Sequence, residues 1–239
     1  MGFGAVERIK IDMNNPCQYF SSSIGRKQIV AVTGILLILF LVGHLAGNLL
    51  IYLGPEAFNA YAKKLAGLRP GLYVVEAGLL LIFLIHMFVT ALLVLENINA
   101  RPVRYKVQKP VGERSTATRL MPYTGTIILI FIVWHLLDFT FADKHGNLSI
   151  LPDGKDYGLF GVVYNAFSNP WHSYFYIITM MAIGFHLSHG VQSFCQTFGF
   201  VGSTTTPLVR NISNAIGLII AVGYSTIPIY VLVHFYTLM

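Results

Sequence analysis

Residues Ile29–Leu53 read IVAVTGILLILFLVGHLAGNLLIYL, a run with no Asp, Glu, Lys or Arg. About 20 apolar residues cross the hydrocarbon of a bilayer as a helix, so this run is long enough for one span. Its single imidazole is His44. A polar side chain left unpartnered in hydrocarbon costs on the order of several kcal/mol, so a histidine at that depth needs a ligand or a hydrogen-bond partner. Working outward, the stretches Leu72–Leu95, Pro122–Phe141, Ser173–Phe198 and Asn211–Phe235 have similar character, and three of them carry His86, His135 and His186. The expectation is an all-α membrane protein of one domain, residues 1–239, built as a five-transmembrane-helix bundle. Composition agrees, with 55% hydrophobic and 11% charged residues against about 25% charged in soluble domains.

The formal charge of +6 falls mostly in loops beside the apolar runs, where it reads as a topology signal and not as a nucleic-acid surface. Arg8, Lys10, Arg26 and Lys27 precede the first span, and Arg101, Arg104, Lys106, Lys109, Arg114 and Arg119 fill the second connection. Lys63, Lys64 and Arg69 lie in the first connection, and Lys144 and Lys155 in the third. This bias places the N-terminus in the cytoplasm and the C-terminus outside. The polar segment Met1 to Ser23 has no signal-peptide pattern, so the first span is expected to stay. Gly54-Pro55 ends the first span, Pro70-Gly71 opens the second, Pro122 begins the third, and Pro228 should kink the fifth. The third is short and contains Trp134, His135 and Asp138, so it should face protein on more than one side. The first connection, Gly54 to Gly71, reads as a short interfacial helix or a solvated connector. The aromatic end of the outer connection, Phe160 to Trp171, reads as an interfacial belt. No internal repeat or low-complexity tract is evident.

At 1.5 Å of rise per residue the four histidines fall at two depths. His44 and His135 lie 15 and 13 residues into outward-running helices. His86 and His186 precede the inner ends of theirs by 9 and 12 residues. The pairs His44 with His135 and His86 with His186 are each level enough to share an iron, which makes two bis-histidine b haems the expected cofactors. Such ligation leaves iron no open position and suits electron transfer. Cys17 and Cys195 form no CxxC pair and no C-x-x-C-H run occurs, so the haem would be non-covalent. Gly47, Ala182, Gly190 and Thr90 are neighbours of the ligands that would leave room for a haem plane. Packing histidines hydrogen-bonded between helices are the competing reading. His189, one turn from His186, is the alternative ligand to it. His145, His172 and His234 read by default as structural.

Several motifs carry a family resemblance. They are Thr33-Gly34, VGHLAGN at Val42–Asn48, FSNPW at Phe167–Trp171, GFHLSHG at Gly184–Gly190 with Gln192-Ser193, and QTFG at Gln196–Gly199. From about Ser21 to the C-terminus the chain resembles the single-polypeptide, five-helix dihaem cytochrome b subunit of succinate dehydrogenase and fumarate reductase, of cytochrome b558 type. The resemblance implies His44, His86, His135 and His186 as haem-iron ligands. Its His-x-Ser-x-Gly pattern falls on His186, Ser188 and Gly190 and favours His186 over His189. It also implies a flavoprotein and an iron–sulfur subunit as partners in a respiratory complex of a bacterial inner membrane. The expected reaction is succinate oxidation coupled to quinone reduction, or its reverse, with menaquinone the quinone; this chain would carry no dicarboxylate chemistry. Some dihaem fumarate reductases place a glutamate two residues before the fourth ligand, where this chain has Gly184.

Rival readings are the dihaem cytochrome b of a nitrate reductase, hydrogenase or formate dehydrogenase, and a cofactor-free transporter whose histidines relay protons. Quinone-site candidates are Glu76, Trp134, Asp138 and His172 near the outer side, with Arg26, Lys27 and Ser22 near the inner one. Arg26 and Lys27 are also candidates for haem propionates.

Overall fold

The computed structural model describes residues 16–100, 116–144 and 146–238. Most of the basic second connection, Arg8 and Lys10, and His145 lie outside these residues. Among the described residues the fold is helical throughout, with one isolated bridge between Ile150 and Asp156. The helices are α1 (Pro16–Ser21), α2 (Ser23–Asn48), α3 (Pro55–Ala66), α4 (Gly71–Asn99), α5 (Thr116–His135), α6 (Gly158–Ser168), α7 (Pro170–Thr197) and α8 (Thr206–Leu238).

Four segments are long and apolar enough to cross a membrane: Ser23–Leu53, Gly71–Asn99, Leu120–Thr140 and Thr206–Phe235. Their outer surfaces carry Leu39, Val74, Leu81, Phe88, Ile130 and Leu218, each more than half exposed. A soluble protein rarely shows so much contiguous apolar surface, whereas lipid solvates it at no cost. The chain is a multi-pass membrane protein.

The fifth long helix, α7, is of another kind. It is 28 residues long but interrupts its apolar run with His172, Ser173, Thr179, His186, Ser188 and His189. It packs along α8 over most of its length and also against α5 and α2, burying Tyr176, Met180, Ile183 and Leu187. Its remaining face carries Trp171, Tyr174, Ile178, Met181 and Phe185, each more than half exposed and in one helical stripe, so the polar positions turn inward and an apolar stripe turns outward. The close contact with α8 has a local cause. A Cβ on Gly184 would stand 2.8 Å from the Ala221 methyl carbon and 2.9 Å from the Gly217 carbonyl, so the helices cross on paired glycines. At the other extreme α4 buries no residue fully and packs along α2.

Several expectations change. α5 begins at Thr116 and runs through Pro122, which lies inside the helix and leaves the Thr118 carbonyl without its i+4 N–H donor. After His135 the chain loosens into a π turn, Leu136–Thr140, which carries Asp138. Pro228 lies fully buried inside α8, which continues to Leu238. The aromatic end of the outer connection is not a belt: Phe160, Tyr164 and Phe167 are buried on α6, and only Trp171 is largely exposed, at 82%. Nor is α3 a solvated connector. Phe58 is buried, Asn59 Nδ2 donates to the Tyr157 carbonyl (2.8 Å), and its Oδ1 accepts from Phe160 N–H (3.1 Å), tying α3 to the start of α6.

Candidate functional site: four intramembrane histidines

His44 and His135 meet across the bundle. Their rings are perpendicular with centroids 5.8 Å apart. Phe40 stacks on His44 at 5.2 Å and 17°, and Phe131 stacks on His135 at 5.5 Å and 28°, each from one turn earlier on the same helix. The Nδ1 of His135 is buried without a hydrogen-bond partner. Buried ring nitrogens are nearly always satisfied, so this one marks a place where a further group belongs.

His86 and His186, expected at the inner depth, have direct partners. His86 Nδ1 lies 3.0 Å from Thr33 Oγ1 of α2, and His186 Nδ1 lies 3.1 Å from Thr124 Oγ1 of α5. Gly34 and Gly125 follow these threonines and leave room for the same rings. A Cβ on Gly34 would sit 3.2 Å from His86 Cε1, and one on Gly125 would sit 3.7 Å from His186 Cε1. All four histidines are half-buried, on four different helices.

These contacts reveal a repeat that the sequence reading missed. Thr33–His44 is TGILLILFLVGH and Thr124–His135 is TGTIILIFIVWH, identical at five of twelve positions. Four of the five have matching roles: threonine and glycine against His86 or His186, phenylalanine stacked on His44 or His135, and that histidine itself; the fifth is Val42, matched by Val133. The conservative apolar exchanges between them hide the match, because any two spans look alike at such positions. Eleven residues, three helical turns, separate threonine from histidine in both copies, so each helix puts both groups on one face about 16 Å apart.

The other candidates sort by contact. Asp138 Oδ2 accepts from Tyr176 O–H (2.6 Å) and lies 3.1 Å from His172 Nε2, without hydrogen-bond alignment to it. His172 stacks on Tyr176 at 4.8 Å, and Trp134 packs near His172 and Phe175. Tyr176, which also faces the His135 ring at 6.2 Å, went unnoticed in the sequence because an interfacial tyrosine is common. Beside this cluster a cavity of about 360 Å³ is lined by Leu137, Asp138, Ala142, Leu148, Val162 and His172. Glu76 is instead an exposed residue paired with Arg69 at 3.3 Å. Arg26 pairs with Glu96, joining the start of α2 to the end of α4, while Lys27 is exposed. Ser22 caps α2 by accepting from Gly25 N–H at 3.1 Å. His234 Nδ1 lies 3.1 Å from the Tyr164 hydroxyl. Gly47 serves packing, not access to His44, because a Cβ there would meet the Tyr61 ring at 2.6 Å. The Thr90 hydroxyl donates to the His86 carbonyl at 2.6 Å. Gly184, closed against α8, leaves no space for a glutamate side chain.

The donor set fits a haem protein: four imidazoles on separate helices, two of them meeting ring to ring with a phenylalanine stacked on each, and one with an orphaned nitrogen. Fold and site together are consistent with the membrane cytochromes b. Comparison with known proteins narrows the class. The chain is 30% identical over 187 residues to the succinate dehydrogenase cytochrome b558 subunit of Bacillus subtilis (strain 168), covering 78% of this chain and 84% of that one. It belongs to the family of succinate dehydrogenase cytochrome b subunits. No family model matches it, and no solved structure matches it.

Proposed function

We propose that this chain is the dihaem anchor of a succinate:quinone oxidoreductase, crossing the membrane five times with α7 as the fifth span. His44 with His135, and His86 with His186, hold the two irons, with His186 rather than His189 as the fourth ligand. Bound there, two b haems supply one-electron steps between an iron–sulfur partner and quinone. The observation that carries the reading is the meeting of His44 and His135, with His86 of α4 and His186 of α7 each against a threonine three turns from those histidines on α2 and α5.

The chain's own residues supply pairing, insulation and a proton site. Phe40 and Phe131 hold the outer rings against rotation and exclude water. The cavity of about 360 Å³ beside Asp138 and His172 has the size and mixed polarity of a quinone-ring slot. Asp138, His172 and the Tyr176 hydroxyl are the groups that would hold a proton at a quinone oxygen, and Tyr176 joins them to His135. Trp134 walls the same cluster, whereas Glu76, paired with Arg69, has no part in it. Arg26, held by Glu96 at the inner end, would orient a propionate only by leaving that partner.

By this reading the N-terminus and the basic second connection face the cytoplasm, where the iron–sulfur and flavoprotein subunits dock, in a bacterial inner membrane with menaquinone as the acceptor. The relative's printed name favours succinate dehydrogenase over the nitrate reductase, hydrogenase, formate dehydrogenase and transporter readings. The test is Asp138→Asn in the assembled complex. It should keep both haem spectra and lower succinate:quinone turnover at least about tenfold, the usual scale for a general acid–base group being about 10²–10⁴. Unchanged turnover would remove Asp138 and its cavity from the quinone site.

A further inference from the structure

The two Thr-Gly pairs do a job beyond spacing. Each threonine hydroxyl has one proton and gives it to its own helix: Thr33 Oγ1 donates to the Ile29 carbonyl at 2.7 Å, and Thr124 Oγ1 to the Leu120 carbonyl at 3.1 Å. Both hydroxyls are buried, with their residues 7% and 6% exposed. A hydroxyl whose proton is committed can only accept a further hydrogen bond, so the imidazole facing it must donate. With the hydroxyl protons so directed, His86 and His186 would carry the proton on Nδ1 and the lone pair on Nε2.

We propose that Thr33 and Thr124 are matched positioning residues that set the tautomer of the inner histidine pair and aim both Nε2 atoms at one iron. This rests on the dihaem reading above. It also makes the repeat functional. Each copy supplies an outer ligand from its own helix, and from the same helix face it orients the inner ligand of the next span, α2 serving α4 and α5 serving α7. The outer pair differs, since no comparable acceptor meets His135 Nδ1 among the described residues.

An acceptor on Nδ1–H makes an imidazole a stronger donor to metal, and a more electron-rich ligand favours the oxidised iron. Removing the acceptor should raise the potential of the inner haem. The same direction is expected at Thr33 and at Thr124, which face their rings at 3.0 and 3.1 Å.

The test uses the complete complex in membranes, with Thr33→Val, Thr124→Val and the corresponding serine variants, read by redox titration and low-spin electron paramagnetic resonance. The inner haem is identified as the one altered by His86→Ala and by His186→Ala. Valine at either position should shift that haem's potential upward or convert it from its low-spin form. The outer haem should keep its wild-type potential, and serine should restore the inner one. An unmoved inner haem in Thr124→Val, or serine variants that behave like valine, would overturn the proposal. So would equal loss of both haems that serine does not rescue, which would mark the threonines as merely structural. A wild-type complex holding two haems separates these outcomes from failure of the dihaem reading; a wild type with one haem would overturn both.

Discussion

A histidine in a bilayer is read from its type and depth, and the four proposed ligands were chosen on that basis together with the family resemblance, which favours His186 over His189. Their partners were not. Thr33, Thr124 and Tyr176 are residues that a membrane helix tolerates anywhere, and only the neighbouring helix shows what they touch. Side-chain replacement should reveal the pairing directly. His44→Ala and His135→Ala should lose or convert one and the same haem, and His86→Ala and His186→Ala the other, each variant leaving the second low-spin spectrum intact. His189→Ala should keep both. Loss of the same haem from His44→Ala and His86→Ala would contradict the pairing. Glycine is graded as well: Gly34→Ala places a methyl 3.2 Å from His86 Cε1 and should disturb the inner haem spectrum more than Gly125→Ala, where the gap is 3.7 Å.

At the scale of elements, hydropathy made the long helices visible because lipid demands an apolar surface over a fixed length. It could not show what lies under protein. α6 looked like an interfacial belt because burial in a core and burial in a headgroup layer select the same aromatic residues, and the π turn after His135 has no sequence signature. The crossing of α7 and α8 on Gly184 and Gly217 was equally silent. Gly184→Val should force the pair apart and destabilise the bundle by about 1–3 kcal/mol, the usual cost of overpacking. A fall in thermal midpoint in detergent would register it, and an unchanged midpoint would refute the close crossing. The outer cap gives a milder case. Asn59→Ala removes one hydrogen bond given and one received between α3 and α6, at about 0.5–1.5 kcal/mol each. Faster proteolysis between residues 143 and 157 should follow, with haem content unchanged.

The molecule as a whole is an asymmetric bundle around α7, with α4 on its edge against α2 and a lid of α3 and α6 tied together by Asn59. The two-depth arrangement was legible from counting residues along antiparallel spans, since helical rise converts sequence position into depth. The repeat relating α2 to α5 was not, because apolar exchange erases similarity faster than function does. Charge bias assigns the inner face to the N-terminus and the second connection, so a cysteine placed at residue 108 should react only from the cytoplasmic side. Labelling from outside would invert the whole orientation. The central claim is the two haems themselves, each held by one histidine pair. Extracting haem from the purified complex with acidic acetone and measuring it against this chain tests that claim most directly. The account predicts two extractable b haems per chain; one, none, or haem that stays with the polypeptide would contradict it.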